Sequence, residues 1–166
     1  MKKLIAITGA TGFIGRKLAL HHLALGDDVR TLTRRDSANA MLPNELTLYF
    51  GDLHNSDSLL PFVDGVDVLY HCAGEIRNAS SMHATHVEGT QNLVDVAKGR
   101  IGRWVQLSSV GAYGQHRISV ITENTPLNPS GEYEITKVAS GSLFYPCIYA
   151  TYTNVFNRSK RRNYGL

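Results

Sequence analysis

Tyr133 and Lys137 stand four residues apart in Tyr133-Glu134-Ile135-Thr136-Lys137. On a helix that spacing puts both side chains on one face. An ammonium beside a phenol stabilises phenolate and draws its pKa down from about 10. A tyrosine so activated gives or takes a proton near neutral pH. A second constellation lies near the N-terminus, in Thr8-Gly9-Ala10-Thr11-Gly12-Phe13-Ile14-Gly15. Gly9 permits a sharp turn out of a strand. Gly12 lets a pyrophosphate approach the backbone, and Gly15 lets a helix pack closely on a sheet. The first-turn N–H groups around Thr11, Phe13 and Ile14, with the positive helix end, then face an anion. The chemistry implied is dinucleotide binding joined to proton transfer.

The place about 20 positions further on reports which dinucleotide is held. An acidic residue there would bind a ribose 2′-OH. The sequence instead reads Thr33-Arg34-Arg35-Asp36. A guanidinium holds a 2′-phosphate by charge-assisted hydrogen bonds. NADP is therefore expected, with NAD as the alternative, and with Arg34 ahead of Arg35 as the phosphate ligand. The competing reading is two solvated surface arginines.

These residues need elements to hold them. Short apolar runs at 3–8, 28–33, 46–50, 66–71 and 104–108 read as buried strands. Helical patterns lie at 13–25, 56–62, about 80–98 and from about 130 onward. Phe13, Leu18, Leu20 and Leu23 supply the apolar positions of the first helix, and Val87, Leu93, Val94 and Ala97 share a face of the third. Alternation of this kind gives an α/β fold: a Rossmann-like, doubly wound parallel sheet of about five strands in order 3-2-1-4-5.

Composition agrees with one compact core. The chain has 166 residues, 43% hydrophobic and 19% charged, which excludes a mostly disordered polymer. Two cysteines, Cys72 and Cys147, make no disulfide scaffold. No apolar run approaches the ~18 residues of a membrane span, so no membrane is expected and the cytoplasm is the expected compartment. The net charge of +3 is unevenly spread. All 14 acidic residues and 12 of the 17 basic ones lie at or before Glu134, and the last 32 residues hold five basic groups and no acid. The basic cluster at Arg158-Ser159-Lys160-Arg161-Arg162 ranks low as a nucleic-acid or acidic-lipid site. His83 and His86 lie three apart on a helix without partners at ligand spacing, so no metal is expected. His21 and His22 are expected at the surface.

Taken together, the TGATGFIG turn, the Tyr-x-x-x-Lys pair and their order resemble the extended branch of the short-chain dehydrogenase/reductase superfamily, which includes NAD(P)-dependent epimerases, dehydratases and reductases. The resemblance covers about residues 1–138. It implies that Asp52 and Leu53 lie beside the adenine, and that Ala73 and Gly74 form a small loop near the nicotinamide ribose. Ser109, in Ser108-Ser109-Val110-Gly111-Ala112-Tyr113-Gly114, matches the serine that orients a substrate carbonyl, with Ser108 as runner-up. Lys137 would also hold the nicotinamide ribose. The bland alternatives are a helix cap for Asp52 and a loop-satisfying hydroxyl for Ser109. His86-Val87-Glu88-Gly89-Thr90-Gln91-Asn92 resembles the family's Asn-Val-x-Gly-Thr-x-Asn stretch, with histidine at the first asparagine position.

The resemblance implies hydride transfer at a hydroxyl- or carbonyl-bearing carbon of a small molecule, nucleotide sugars among them. Relatives carry a further strand, helix and substrate region, none recognisable in this sequence. The expected division is a nucleotide-binding domain at 1–138 and an atypical basic tail at 139–166. A frameshifted or prematurely ended translation ranks first as the account of that tail, and a genuine short variant second. Impaired activity is expected in that truncated form. The alternative is a non-catalytic NADP-binding or regulatory module of the same fold. A sheet lacking its sixth strand would also expose an edge for self-association or a homodimer.

Overall fold

A computed structural model describes residues 1–34, 42–114, 120–122 and 124–143. The elements are β1 (Leu4–Thr8), α1 (Phe13–Ala24), β2 (Asp28–Thr33), β3 (Thr47–Phe50), α2 (Ser56–Val63), β4 (Val66–His71), α3 (Gly89–Ala97), β5 (Ile101–Gln106) and α4 (Glu132–Ser142). The five strands form one sheet in order β3-β2-β1-β4-β5. Every neighbouring pair is parallel. The chain therefore runs outward from β1 to β3, then crosses back to β4 on the other side. That reversal leaves a crevice at the carboxyl ends of β1 and β4, where ligands of open α/β sheets bind.

Alternation within β1 shows why the sheet needs two helical layers. Ile5 and Ile7 face one side and pack with Ala10, Ala19 and Val29. Ala6 faces the other and joins Leu59, Phe62, Leu69, Leu93 and Trp104. Both faces are apolar, so both must be covered. The face of α1 that turns inward keeps part of the expected apolar stripe, since Leu18 and Leu23 are half-buried and pack against the cluster of Ile5 and Ile7. Gly15, Ala19 and His22 are buried, while Phe13 is 78% exposed and Leu20 is exposed as well. Gly15 and Ala19 let this helix sit close to the sheet, and only Phe13 and Leu20 of the expected positions turn to solvent.

Two further expectations are corrected. The helix anticipated over 80–98 is interrupted. A 3₁₀ turn at Ala79–Ser81 and one turn of π-helix at Ala84–Glu88 precede α3. The Gly89 N–H donates to the Ala84 carbonyl five residues back, which is the π pattern. The fifth strand begins and ends earlier than expected, and Leu107, Ser108 and Ser109 lie beyond it. Helix α4 runs without a break across position 138 to Ser142, and the half-buried Leu143 packs against the larger core cluster.

Candidate functional site

The turn after β1 obeys the glycine logic in detail. Gly9 has φ +69°, and a Cβ there would come within 2.7 Å of the Ala73 amide nitrogen. A Cβ at Gly15 would collide with the Gly9 carbonyl. Gly12 is the N-cap of α1, and no side chain caps the helix. No acidic residue occupies its first turn. The amides at the start of α1 thus remain available to an anion, in a cradle that side chains at Gly9, Gly12 or Gly15 would narrow. These features fit a dinucleotide pyrophosphate.

A cleft of about 400 Å³ opens at this turn and gathers Gly9, Thr11, Gly12, Arg34, Asp52, Leu53, Ala73 and Gly74. Eight residues singled out in the sequence therefore converge, from the ends of β1, β2, β3 and β4. Phe13 and Ile14 present exposed side chains, so only their backbone suits the anion. Arg34 reaches across the mouth to Asp52, with Nη1 3.9 Å from Oδ2 and 69% of its side chain exposed. A pair so exposed holds the arginine weakly and leaves it free to exchange partners. Arg35 lies outside the described residues.

Asp52 does not cap a helix. Its Oδ1 accepts from the His54 N–H at 2.9 Å, whereas Asn55 caps α2 by accepting from the Asp57 N–H at 3.2 Å. Leu53 is buried, with Gly89 making room for it: a Cβ on that glycine would stand 2.9 Å from the leucine Cβ. The Asn92 amide donates to the Leu53 carbonyl at 2.9 Å and fixes the same loop.

The residues expected to do chemistry, Ser109, Tyr133 and Lys137, are not among those that line this cleft. Lys137 is only 3% exposed. Burial lowers its pKa from 10.5 to about 8, with Cys72 opposing the fall. Cys72 lines the cleft, and the charge of Lys137 acts on its thiol. The Cys72 thiol itself is pushed up to about 11 by burial and is a poor nucleophile. Tyr133 departs from expectation. Its phenol is raised above the usual 10, first by burial and then by Glu134, and Lys137 is not among the causes. The four-residue spacing brings the two onto one helix, but burial rather than the ammonium governs the phenol.

Ser109 begins the turn that faces α4. Its Oγ accepts from the Gly111 N–H at 3.2 Å, which is the loop-satisfying role, while its own O–H remains able to donate. Gly111 lies against α4, since a Cβ there would come 2.7 Å from the Glu134 Cγ. The turn bearing Ser109 and the helix bearing Tyr133 are thus neighbours.

Beneath the cleft runs a buried polar chain that the sequence did not announce. The Ala73 N–H donates to Thr8 Oγ1 at 3.1 Å, and Thr8 Oγ1 lies 2.7 Å from His71 Nδ1. His71 Nε2 lies 3.0 Å from Thr90 Oγ1, and the Thr90 hydroxyl donates to the His86 carbonyl. Since the only Thr90 proton is spent on that carbonyl, His71 must donate from Nε2 and accept at Nδ1 from the Thr8 hydroxyl. Burial lowers the pKa of His71 to about 3, with Lys137 adding to the effect, so the ring is neutral. His86 has the opposite tautomer. Nε2 accepts from the Glu75 N–H at 2.9 Å, so Nδ1 carries the proton and donates to Thr136 Oγ1 at 2.8 Å. Among the described residues no cluster of His, Cys, Asp and Glu forms a metal site. The other histidine pair also departs from expectation: His22 is buried between Asp27 at 2.8 Å and Tyr70 at 3.2 Å, and only His21 is exposed.

The sheet order, the uncapped helix after β1 and the cleft at the switch point define a Rossmann-like nucleotide-binding α/β domain. Residues 5–149 match the NAD dependent epimerase/dehydratase family, and the chain belongs to that family. It is 34% identical over 143 residues to sterol demethylase protein B of Methylococcus capsulatus, covering 81% of this chain and 44% of that protein. It is 28% identical to the UDP-glucose 4-epimerase of Halalkalibacterium halodurans, covering 86% of this chain and 46% of the relative. A short-chain dehydrogenase/reductase superfamily protein from Agrobacterium tumefaciens, solved with bound NAD, superposes with a TM-score of 0.80 at 25% identity. That alignment covers 91% of this chain and 48% of the solved one. The chain thus spans about half the length of the relatives it matches. Among the described residues no helix is long and apolar enough to cross a membrane.

Proposed function

We propose that this domain binds NADP(H) and serves hydride transfer at a hydroxyl- or carbonyl-bearing carbon of a small molecule. The observation that carries the reading is convergence on one cleft. The uncapped α1 terminus, Arg34 and Asp52 line it together with Cys72, whose thiol feels the charge of the buried Lys137. Gly9, Gly12 and the first-turn amides would hold the pyrophosphate. Leu53 and Asp52 would meet the adenine, Arg34 the 2′-phosphate, and Lys137 with Ala73 and Gly74 the nicotinamide ribose. The coenzyme, when bound, supplies or takes up the hydride.

The protein's own part is proton handling and orientation. The Ser109 hydroxyl donates to the substrate oxygen and sets its direction. With its pKa raised, the Tyr133 phenol holds its proton at neutral pH. A protonated phenol suits proton donation to a carbonyl under reduction better than abstraction from an alcohol. Nucleotide sugars are the first substrate class to try, because a UDP-glucose 4-epimerase and a dTDP-glucose 4,6-dehydratase are among the relatives.

A fluorescence titration with NADPH and NADH, paired with a turnover screen on nucleotide sugars and small carbonyls, tests the proposal. NADPH is expected to bind more tightly. Arg34→Ala should weaken NADPH by about tenfold and leave NADH unchanged, as loss of a charge-assisted hydrogen bond implies. Equal affinities unaffected by Arg34→Ala would remove the NADP preference. The raised Tyr133 phenol favours a second reading, a coenzyme-binding module without turnover, and binding with no product in the screen would support it. Self-association through the outer edge of β5 belongs to the same proposal, and a clean monomer in sedimentation velocity would count against it.

A further inference from the structure

His86 occupies a place where three parts of the site meet. It is 1% exposed and sits on the π turn before α3. Its Nε2 accepts from the Glu75 N–H, in the loop that leaves β4 and carries Ala73 and Gly74. Its Nδ1–H donates to Thr136, one residue before Lys137 and three after Tyr133. Thr136 spends its own proton on the backbone of its helix, lying 2.8 Å from the Glu132 carbonyl and 3.1 Å from that of Tyr133. The imidazole also meets the Tyr133 ring edge-to-face, with centroids 5.4 Å apart and planes at 85°. One side chain therefore touches the cofactor-side loop, α4 and the phenol itself.

We propose that His86 is the positioning residue of this reaction centre: by bonding Thr136 and the Glu75 amide from its two nitrogens, it sets the Tyr133 phenol in register with the loop after β4. The inference rests on the oxidoreductase reading for its purpose, but its geometry stands independently. Three features distinguish it from core filling. Both ring nitrogens are used, and each has one polarity. The bond to α4 falls at Thr136, just past a first turn that has no side-chain cap of its own. The tertiary bond to Thr136 therefore adds a polar tether to a helix end otherwise held by packing, with Glu134 lying against Gly111. Neutrality of the imidazole is also required, since a protonated ring could not accept from Glu75. Burial and the Lys137 charge keep it neutral by lowering its pKa to about 4, against the opposing influence of Glu75.

The test exploits the two nitrogens separately. In the full chain, His86→Asn puts an amide where Nδ1 stands and preserves the bond to Thr136. His86→Gln places its amide nearer Nε2 and preserves only the loop bond. His86→Phe keeps a ring and loses both bonds, and Thr136→Val removes the helix partner while leaving His86 intact. Each variant is titrated by tyrosinate absorbance against its own Tyr133→Phe counterpart, with circular dichroism at every pH and a thermal melt. Because burial holds the phenol up, release of the helix should let it fall toward the ordinary tyrosine value. The expected result is a midpoint lowered by about half a pH unit or more in His86→Phe, His86→Gln and Thr136→Val. His86→Asn, which keeps the helix bond and loses the loop bond, should fall between the parent and His86→Phe. A lower melting temperature with no change in the Tyr133 midpoint would make His86 a packing residue and overturn the proposal. If His86→Phe fails to fold, Thr136→Val decides. Failure of the parent to bind NADPH or NADH would remove the oxidoreductase reading and still leave the phenol titration to judge His86.

Discussion

Lys137 is a buried cation where every other lysine and arginine among the described residues is exposed or half-exposed, and its cost can be measured. Its folded pKa of about 8 lies below the free value of 10.5, so the unfolded chain binds the extra proton between those limits. Stability is thus lower by the full penalty below pH 8 and recovers as pH rises toward 10.5. Lys137→Met, which keeps the stem and discards the charge, should raise stability at pH 7 by as much as ~3 kcal/mol in urea unfolding. The same variant should lose coenzyme affinity. A gain in stability with unchanged NADPH affinity would place Lys137 outside the binding site. A residue that destabilises the fold and acts on a group lining the cleft is the pattern expected where function, not stability, retains the side chain.

At the scale of elements, the turn between β1 and α1 is the strictest part of the fold. Gly9→Ala would force a left-handed backbone on an L-residue and drive its Cβ to within 2.7 Å of the Ala73 nitrogen. Backbone atoms on both sides cannot give way. The expected loss is ~3 kcal/mol or more in chemical denaturation, with coenzyme binding abolished. The start of α2 offers the contrast. Asn55→Ala deletes the cap on the Asp57 N–H and should cost ~1 kcal/mol while leaving NADPH affinity unchanged. Equal effects of the two substitutions on binding would show that the glycine turn has no special relation to the ligand.

At the scale of the molecule, two neutral histidines make the fold acid-sensitive. His71 and His86 titrate near 3 and 4 when folded but near 6.5 when free. Their contribution is complete above pH 6.5 and is lost as pH falls through the window down to their folded values, because only the unfolded chain takes up the protons. Stability measured by urea unfolding should therefore drop by roughly 2–3 kcal/mol per pH unit between pH 6 and 4. His86→Asn should remove about half of that slope. A stability curve flat from pH 7 to 4 would mean that neither ring is held neutral. The acid-sensitive chain links Thr8 at the end of β1, the end of β4, α3 and α4, so its rupture loosens the frame of the cleft as a whole.

Much of this was legible in the sequence, because short-range rules governed it. Strand-sized apolar runs separated by helical patterns imply a doubly wound sheet, and three glycines from the end of the first strand into the first turn of the helix imply an anion turn. Convergence of Arg34, Asp52 and Ala73 on one cleft follows from the sheet order, since each ends or follows a strand on the same edge. Burial decided what the sequence could not. The interior face of α1 centres on Gly15, Ala19 and His22, because a close approach to the sheet suits the small residues while Asp27 and Tyr70 give the imidazole partners. The Tyr133 phenol lies above rather than below its usual pKa, because desolvation is set by what surrounds a group and not by the residue four places along. The roles of His71, Thr90, His86 and Thr136 depend on partners 19 to 63 residues away. Spacing along the chain named the residues able to do chemistry; only the packed structure, by excluding water from some of them, determined their protonation and their partners.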